Sequence, residues 1–169
     1  MSHDETTERA TKAMTQTSIR LRIDGTPIQQ GSMNAYIRGG KAILVHAKNK
    51  ALTLWRDKIT RQTRAEAVRA GWELPLDEPI NVFVVFYMPR PKTVKRALPS
   101  TKPDLDKLLR AVGDGLGNGI VKDDSRIVGW YVEQFYDDDG QGPRIEMRIT
   151  REPGLKPSLG IWTDQAVPF

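Results

Sequence analysis

The sequence contains no cysteine. That absence removes a disulfide framework, a thiolate nucleophile and any zinc site built on sulfur. Histidine is nearly as scarce: His3 and His46 are its two representatives, and they lie far apart in the chain. A zinc site of nitrogen ligands is therefore not expected, and a bound metal should be a hard ion held by oxygen. No apolar run is long enough to cross a bilayer, and the opening "MSHDETTERATKAMTQTS" lacks the apolar core of a secretion signal. A phosphate-binding loop is missing as well. "GDGLGNG" (113–119) is rich in glycine, but it follows a helical pattern rather than a strand and has no Lys-Ser/Thr pair.

What remains is a chain of 169 residues, 38% hydrophobic and 28% charged, with a formal charge of +5. Those proportions suit one globular domain with an ordinary core, and the excess of positive charge favours a polyanionic partner. The basic residues are gathered rather than spread. Arg90, Lys92, Lys95 and Arg96 lie in "RPKTVKR" (90–96), and Lys102, Lys107 and Arg110 follow closely. Carboxylates stand among them: Asp104 and Asp106 in "PDLDKLLR" (103–110), then Asp123 and Asp124 in "KDDS" (122–125). Acids inside a basic stretch suit an enzyme that attracts a phosphate backbone while holding a cation.

Residues 1–17 are polar without periodicity and are predicted to be a disordered tail; 18–150 should form the domain, and 151–169 a tail containing Pro and Gly. Ile19, Leu21 and Ile23 alternate with polar neighbours and predict a strand over 18–24. A hairpin or excursion is expected around Gly39 and Gly40, with a short strand at 43–45. A helix should span 49–70, with Leu52, Trp55, Ile59, Ala65 and Val68 on its apolar face. "INVFVVFY" (80–87) reads as a central strand, and the prolines of "MPRPKTVKRALPSTK" (88–102) deny that segment regular structure. A second helix opens with Pro103 in its first turn, carries the stripe Leu105, Leu108, Leu109, Val112 and Leu116, and stops at "GNG". Strands over 126–136 and 143–150 are joined by "DDDGQG", read as a solvated hairpin turn. The fold class is α+β, a mixed or antiparallel sheet packed with two main helices.

Residues two apart on a helix point in nearly opposite directions. Asp104 and Asp106 can converge only where Asp104 sits at or before the first turn, on extended backbone. Asp106, Arg110 and Asp114 then fall on one side, away from the leucines, and Asp123 or Asp124 can approach after the chain reverses. Clustered carboxylates repel one another unless a divalent ion neutralises them, so the group is a candidate Mg2+ or Mn2+ site. Plainer roles compete: Asp104 or Asp106 as a helix cap, Asp123 and Asp124 as loop acids, Arg110 as a partner for Asp106, and Trp55, Trp72 and Trp130 as core.

The run "PDLDKLLRAVGDGLGNGIVKDDSRIV" (103–128), with "VVFYMPRPK" (84–92) before it and "DGTPIQQGSM" (24–33) earlier, resembles the RusA-type Holliday junction resolvases of phages and prophages over residues 18–150. The resemblance implies catalytic acids at Asp104, Asp106 and Asp124, holding Mg2+ (Mn2+ possible), with Asp114 and Asp123 as auxiliary acids. Arg110 stands where the family has a useful lysine, and Lys107 where it often has asparagine. Arginine keeps its proton near neutral pH, so it would clamp phosphate rather than act as a base. Arg90, Lys92, Lys95, Arg96, Lys102 and Lys107 would contact DNA. Also implied is a homodimer in the cytoplasm of a bacterial host, without membrane association, that nicks two strands of a four-way junction symmetrically. The nicks would leave 5′-phosphate and 3′-hydroxyl ends. A metal-dependent nuclease of flaps or forks, and a non-catalytic DNA-binding protein of the same fold, remain the alternatives. The end "GIWTDQAVPF" (160–169) is similar in its last two residues to the tail tip of bacterial single-stranded DNA-binding proteins, which suggests a docked partner. Packing of Trp162 and Phe169 on the dimer or the domain is the other reading.

Overall fold

The structure, a computed structural model, describes residues 16–31, 34–38, 41–45 and 50–151, with 34–38 and 41–45 as backbone. Most of the expected N-terminal tail, both histidines and the C-terminal residues from 152 onward lie outside the described residues. The elements run β1 (Ser18–Asp24), β2 (Asn34–Arg38), β3 (Lys41–Val45), α1 (Lys50–Arg69), β4 (Ile80–Met88), α2 (Leu105–Gly117), a 3-10 turn (Asp124–Arg126), β5 (Ile127–Tyr136) and β6 (Arg144–Arg151). β2 and β3 form a separate antiparallel pair in which Arg38 faces Lys41, the hairpin expected around Gly39–Gly40.

The main sheet has the order β1-β6-β4-β5. β6 runs antiparallel to both of its neighbours, and β5 is parallel to β4. This is the α+β arrangement with a mixed sheet that the sequence predicts. β4 reads as a nearly unbroken apolar run because it lies between two strands, with one face in the core and the other mostly half-buried. Ile80, Val82, Val84, Phe86 and Met88 enter the main core, while Val85 is buried on the other side. On that second face Phe83 stacks on Tyr131 at 4.4 Å and Arg148 lies 4.1 Å over the Phe83 ring.

Two expectations are corrected at the helices. The buried face of α1 is Leu52, Trp55, Ile59, Thr63 and Ala67, whereas Ala65 and Val68 are exposed. α2 buries Leu108, Ala111, Val112, Gly115 and Leu116, leaving Leu105 exposed and Leu109 half-buried. The cause is close approach of the two helices. A Cβ on Gly115 would lie 2.8 Å from Ile59 Cγ2, so a side chain there could not be accommodated at this separation. Thr60 Oγ1 donates to the Gly115 carbonyl at 2.8 Å across the same contact. At this contact the glycine on α2 makes room for Ile59 and Thr60 of α1.

A third correction concerns "DDDGQG". β5 and β6 flank β4 and do not pair, so the segment crosses the end of β4 instead of turning a hairpin. It is pinned there: Asp137 N–H donates to the Met88 carbonyl, and Arg144, 1% exposed, gathers Asp139 (2.6 Å), Glu146 (2.7 Å) and the Gly142 carbonyl (3.1 Å). The guanidinium also lies 3.6 Å over the Tyr87 ring. Its hydrogen bonds hold the Asp139 carboxyl far below the usual carboxylate range, while burial pushes Asp137 up. Gln16 and Thr17, assigned by sequence to the tail, are tied in by backbone bonds to Ala70 and Arg151, and the Trp72 indole donates to the Gln16 carbonyl at 2.6 Å.

Candidate active site

The start of α2 places the first two acids. Asp104 is the N-cap, with extended backbone (φ −71°, ψ 137°), as its convergence with Asp106 demands. Pro103 lies just before the cap, outside the helix, which corrects its expected place in the first turn. Asp104 is a residue type well suited to capping, yet its side chain makes no cap hydrogen bond, so the carboxylate is not consumed by the helix. Asp106, in the first turn, accepts from Lys107 Nζ at 2.7 Å. That bond, supported by the charges of Lys107 and Arg110, holds its carboxyl below the ordinary value. Lys107, expected on DNA, is thus engaged with Asp106.

Farther along α2, Asp114 Oδ2 accepts from Arg56 Nη1 of α1 at 2.6 Å. Beyond the helix the chain is fixed by the bridge Leu76–Val121 and by Asp77, which binds Lys122 at 2.9 Å and Arg126 at 2.6 Å. Asp123 caps the 3-10 turn through Ser125 N–H at 2.9 Å, and that bond lowers its pKa. Asp124 opens the turn and is exposed.

Asp106, Arg110, Asp114 and Asp124 line one cleft of about 300 Å3, with Leu109 and Trp130 among its walls. Asp104 does not share it: this residue lines a neighbouring cavity bounded by the end of the basic loop and β5. The structure thus brings three of the expected acids and the arginine together in this cleft, places Asp104 next door, and leaves Asp123, which caps the 3-10 turn, beside Asp114 and Asp124 in another cavity. An all-oxygen donor set fits a hard divalent cation. Among the described residues, however, no three acidic, histidine or cysteine side chains already stand in metal-holding geometry. An ion at this site would have to draw its ligands inward.

Of the basic residues, Arg90 is committed within the fold. It grips Asp138 with two bonds of 2.7 and 2.5 Å, donates to the Arg96 carbonyl at 2.6 Å and lies 4.1 Å over Tyr136. Lys92, Lys95 and Arg96 are exposed on the loop it anchors, although Arg96 also donates to Ser100 Oγ at 3.0 Å. Lys102 is exposed at the edge of the Asp104 cavity.

Sequence reasoning missed Arg56 and Asp77, whose partners lie 58 and 45–49 positions away and leave no local signal. Trp55 and Trp72 are core, as expected, but half-buried Trp130 also walls the cleft. No helix among the described residues is long and apolar enough to cross a membrane.

Comparison with known proteins bears on what this cleft does. The family model described as Endodeoxyribonuclease RusA matches residues 24–150. YqaN of Bacillus subtilis (strain 168), described as an uncharacterized protein, is 31% identical over 144 residues, covering 78% of this chain and 94% of its own length.

Proposed function

The chain belongs to the RusA endodeoxyribonuclease family, a family of Holliday junction resolvases, and on that premise we propose that the cleft of α2 performs Mg2+-dependent resolution of four-way DNA junctions. The observation that carries the reading is the common cleft of Asp106, Asp114, Asp124 and Arg110, on the helix that the exposed basic loop leads into. Nucleases of this family generally depend on a divalent metal. Asp104, Asp106 and Asp124 would hold it, with Asp114 beside them and Mn2+ as an acceptable substitute. The ion would supply polarisation of a phosphate oxygen and acidification of a water.

The chain's own residues do the rest. Asp106 remains ionised because Lys107 and Arg110 favour its charged form. Arg110 offers a planar pair of donors to the non-bridging phosphate oxygens as charge grows there. Water adds to phosphorus, the P–O3′ bond breaks, and the departing oxygen takes a proton, leaving a 5′-phosphate and a 3′-hydroxyl. Lys92, Lys95, Arg96 and Lys102 bind backbone phosphates, which fixes orientation without reading bases. Two symmetric nicks need two related sites, so the working form is a homodimer.

The test is cutting of an end-labelled immobile junction with millimolar Mg2+, read on a denaturing gel beside linear, flap and fork DNA. Paired nicks at symmetric positions, abolished by EDTA, are expected. Equal or faster cutting of flaps or forks would favour the alternative nuclease, and full activity after exhaustive EDTA treatment would end the metal mechanism.

A further inference from the structure

Asp104 opens onto a space that the chemistry above leaves unused. This cavity, about 640 Å3, has two walls: the chain from Leu98 to Leu105, and the segment Val132–Phe135 of edge strand β5. Its exposed surface is mostly apolar, with Leu98, Pro99, Pro103, Leu105, Val132 and Phe135 contributing, while Ser100, Thr101, Lys102, Asp104, Glu133 and Gln134 supply polar groups. One of them is unusual. Gln134 lines this cavity and a second one on the far side of the 99–103 segment, and its amide Nε2 is buried without a hydrogen-bond partner. Buried donors without an acceptor are rare in folded proteins and call for an explanation.

We propose that the cavity receives one unstacked nucleobase of the strand being cut, the base adjoining the scissile phosphate, with its polar edge toward Gln134. The inference rests on the junction-cutting reading above and adds a base site to it. Placement is the first support. Asp104 is the N-cap of the same helix whose first turn carries Asp106 into the cleft, so cavity and cleft meet at the start of α2. A backbone phosphate in the cleft leaves its own base within reach of the cavity. Chemistry is the second. The volume falls in the range of roughly 300–1,000 Å3 common for small-molecule sites, and apolar side chains beside polar ones can meet a base's flat faces and its polar edge. Gln134 is the third. The terminal torsion of a glutamine is broad and nearly two-fold, so a half-turn exchanges its donor and acceptor ends and lets it meet a base edge. Lys102 and Glu133 also line the site, the lysine placed to meet the sugar-phosphate chain. The substrate supplies the fourth. A base at a branch point has lost part of its stacking, so drawing it out there requires least work.

The experiment places 2-aminopurine at each nucleotide flanking the cut and follows its fluorescence on binding to the full-length Asp106→Asn protein, which holds the junction uncut. Fluorescence at one flanking position should change severalfold, and positions well away from the cut should not respond. In the same background Gln134→Leu and Ser100→Trp should each suppress most of that change and weaken junction binding by about 5- to 20-fold, as loss of part of one base's stacking implies. Ser100 is exposed on the loop, so the second variant folds even where the first does not. Gln134→Leu should leave the melting temperature unchanged or raise it, because it deletes an unpartnered donor; a purely structural glutamine would lower it. A bound junction whose flanking bases give no signal, or a signal that survives both variants, overturns the base site and leaves the proposed function intact. Failure of the unsubstituted protein to bind or cut any four-way junction defeats the proposed function and this inference with it.

Discussion

Asp123 and Asp124 are neighbours in sequence with opposite tasks in the fold. Asp123 spends its carboxylate on the Ser125 amide, whereas Asp124 faces the cleft of Asp106 and Asp114. Asp124→Asn should therefore lower single-turnover junction cutting by roughly 100-fold or more with binding retained. Asp123→Asn should keep most of the rate and show a slightly lower melting temperature, and the reverse pattern would exchange their roles. Arg144 marks another residue-scale contrast, since it is a buried cation surrounded by acids. Arg144→Ala should destabilise by about 3–5 kcal/mol in urea titration, the usual result of removing one partner from buried charges. Asp139 gives the pH signature. Its folded pKa is depressed by Arg144, so its stabilising effect is present above the unfolded value, about pH 4, and vanishes as pH falls through the lower folded value. The stability gap between the native protein and Asp139→Asn should accordingly be full at neutral pH and close in strong acid.

At the scale of elements, the sequence makes the strands and both helices legible because their signals are local: alternation in β1, a continuous apolar run in β4, glycines at the end of α2. What it conceals is how closely α1 and α2 approach. Reading large apolar residues alone assigns Val68 and Leu105 to the core, but both are exposed, and the helices meet where Ile59 and Thr60 lie against Gly115. The same proximity joins Arg56 to Asp114, a pair no pattern within either helix reveals. Gly115→Ala should cost about 1–3 kcal/mol through overpacking against Ile59. It should slow cutting more than it weakens DNA binding, since the displaced helix carries Asp106 and Asp114 into the cleft. Unfolding titration beside cleavage and binding measurements would check this, and a fully active variant of native stability would show that the seam can yield. The crossing of "DDDGQG" over β4 was hidden for a related reason: strand order is a property of the sheet, not of the segment.

For the molecule as a whole, net positive charge matters less than where it is exposed. Arg90 is occupied with Asp138, leaving Lys92, Lys95 and Arg96 on the loop surface. Reversal of Lys95 and Arg96 to Glu should weaken junction binding and flatten its dependence on salt, because fewer counterions leave the DNA. An unchanged slope of affinity against salt would remove that loop from the interface. Cutting by the bound variant should still occur at saturation, which separates attraction from chemistry.

The parallel pairing of β4 with β5 has a consequence in time as well as in space. Asp104, Asp106, Arg110, Asp114 and Asp124 all belong to the connection between those two strands. Parallel neighbours cannot be joined by a tight turn, and their contacts close a long loop before they repay it. A growing chain that has emerged through α2 thus carries nearly all the acids in order but lacks the strand that seats them. Ile127 and Trp130 of β5 complete the wall of the cleft, so a polypeptide ending before residue 127 should contain the entire acidic motif and cut nothing.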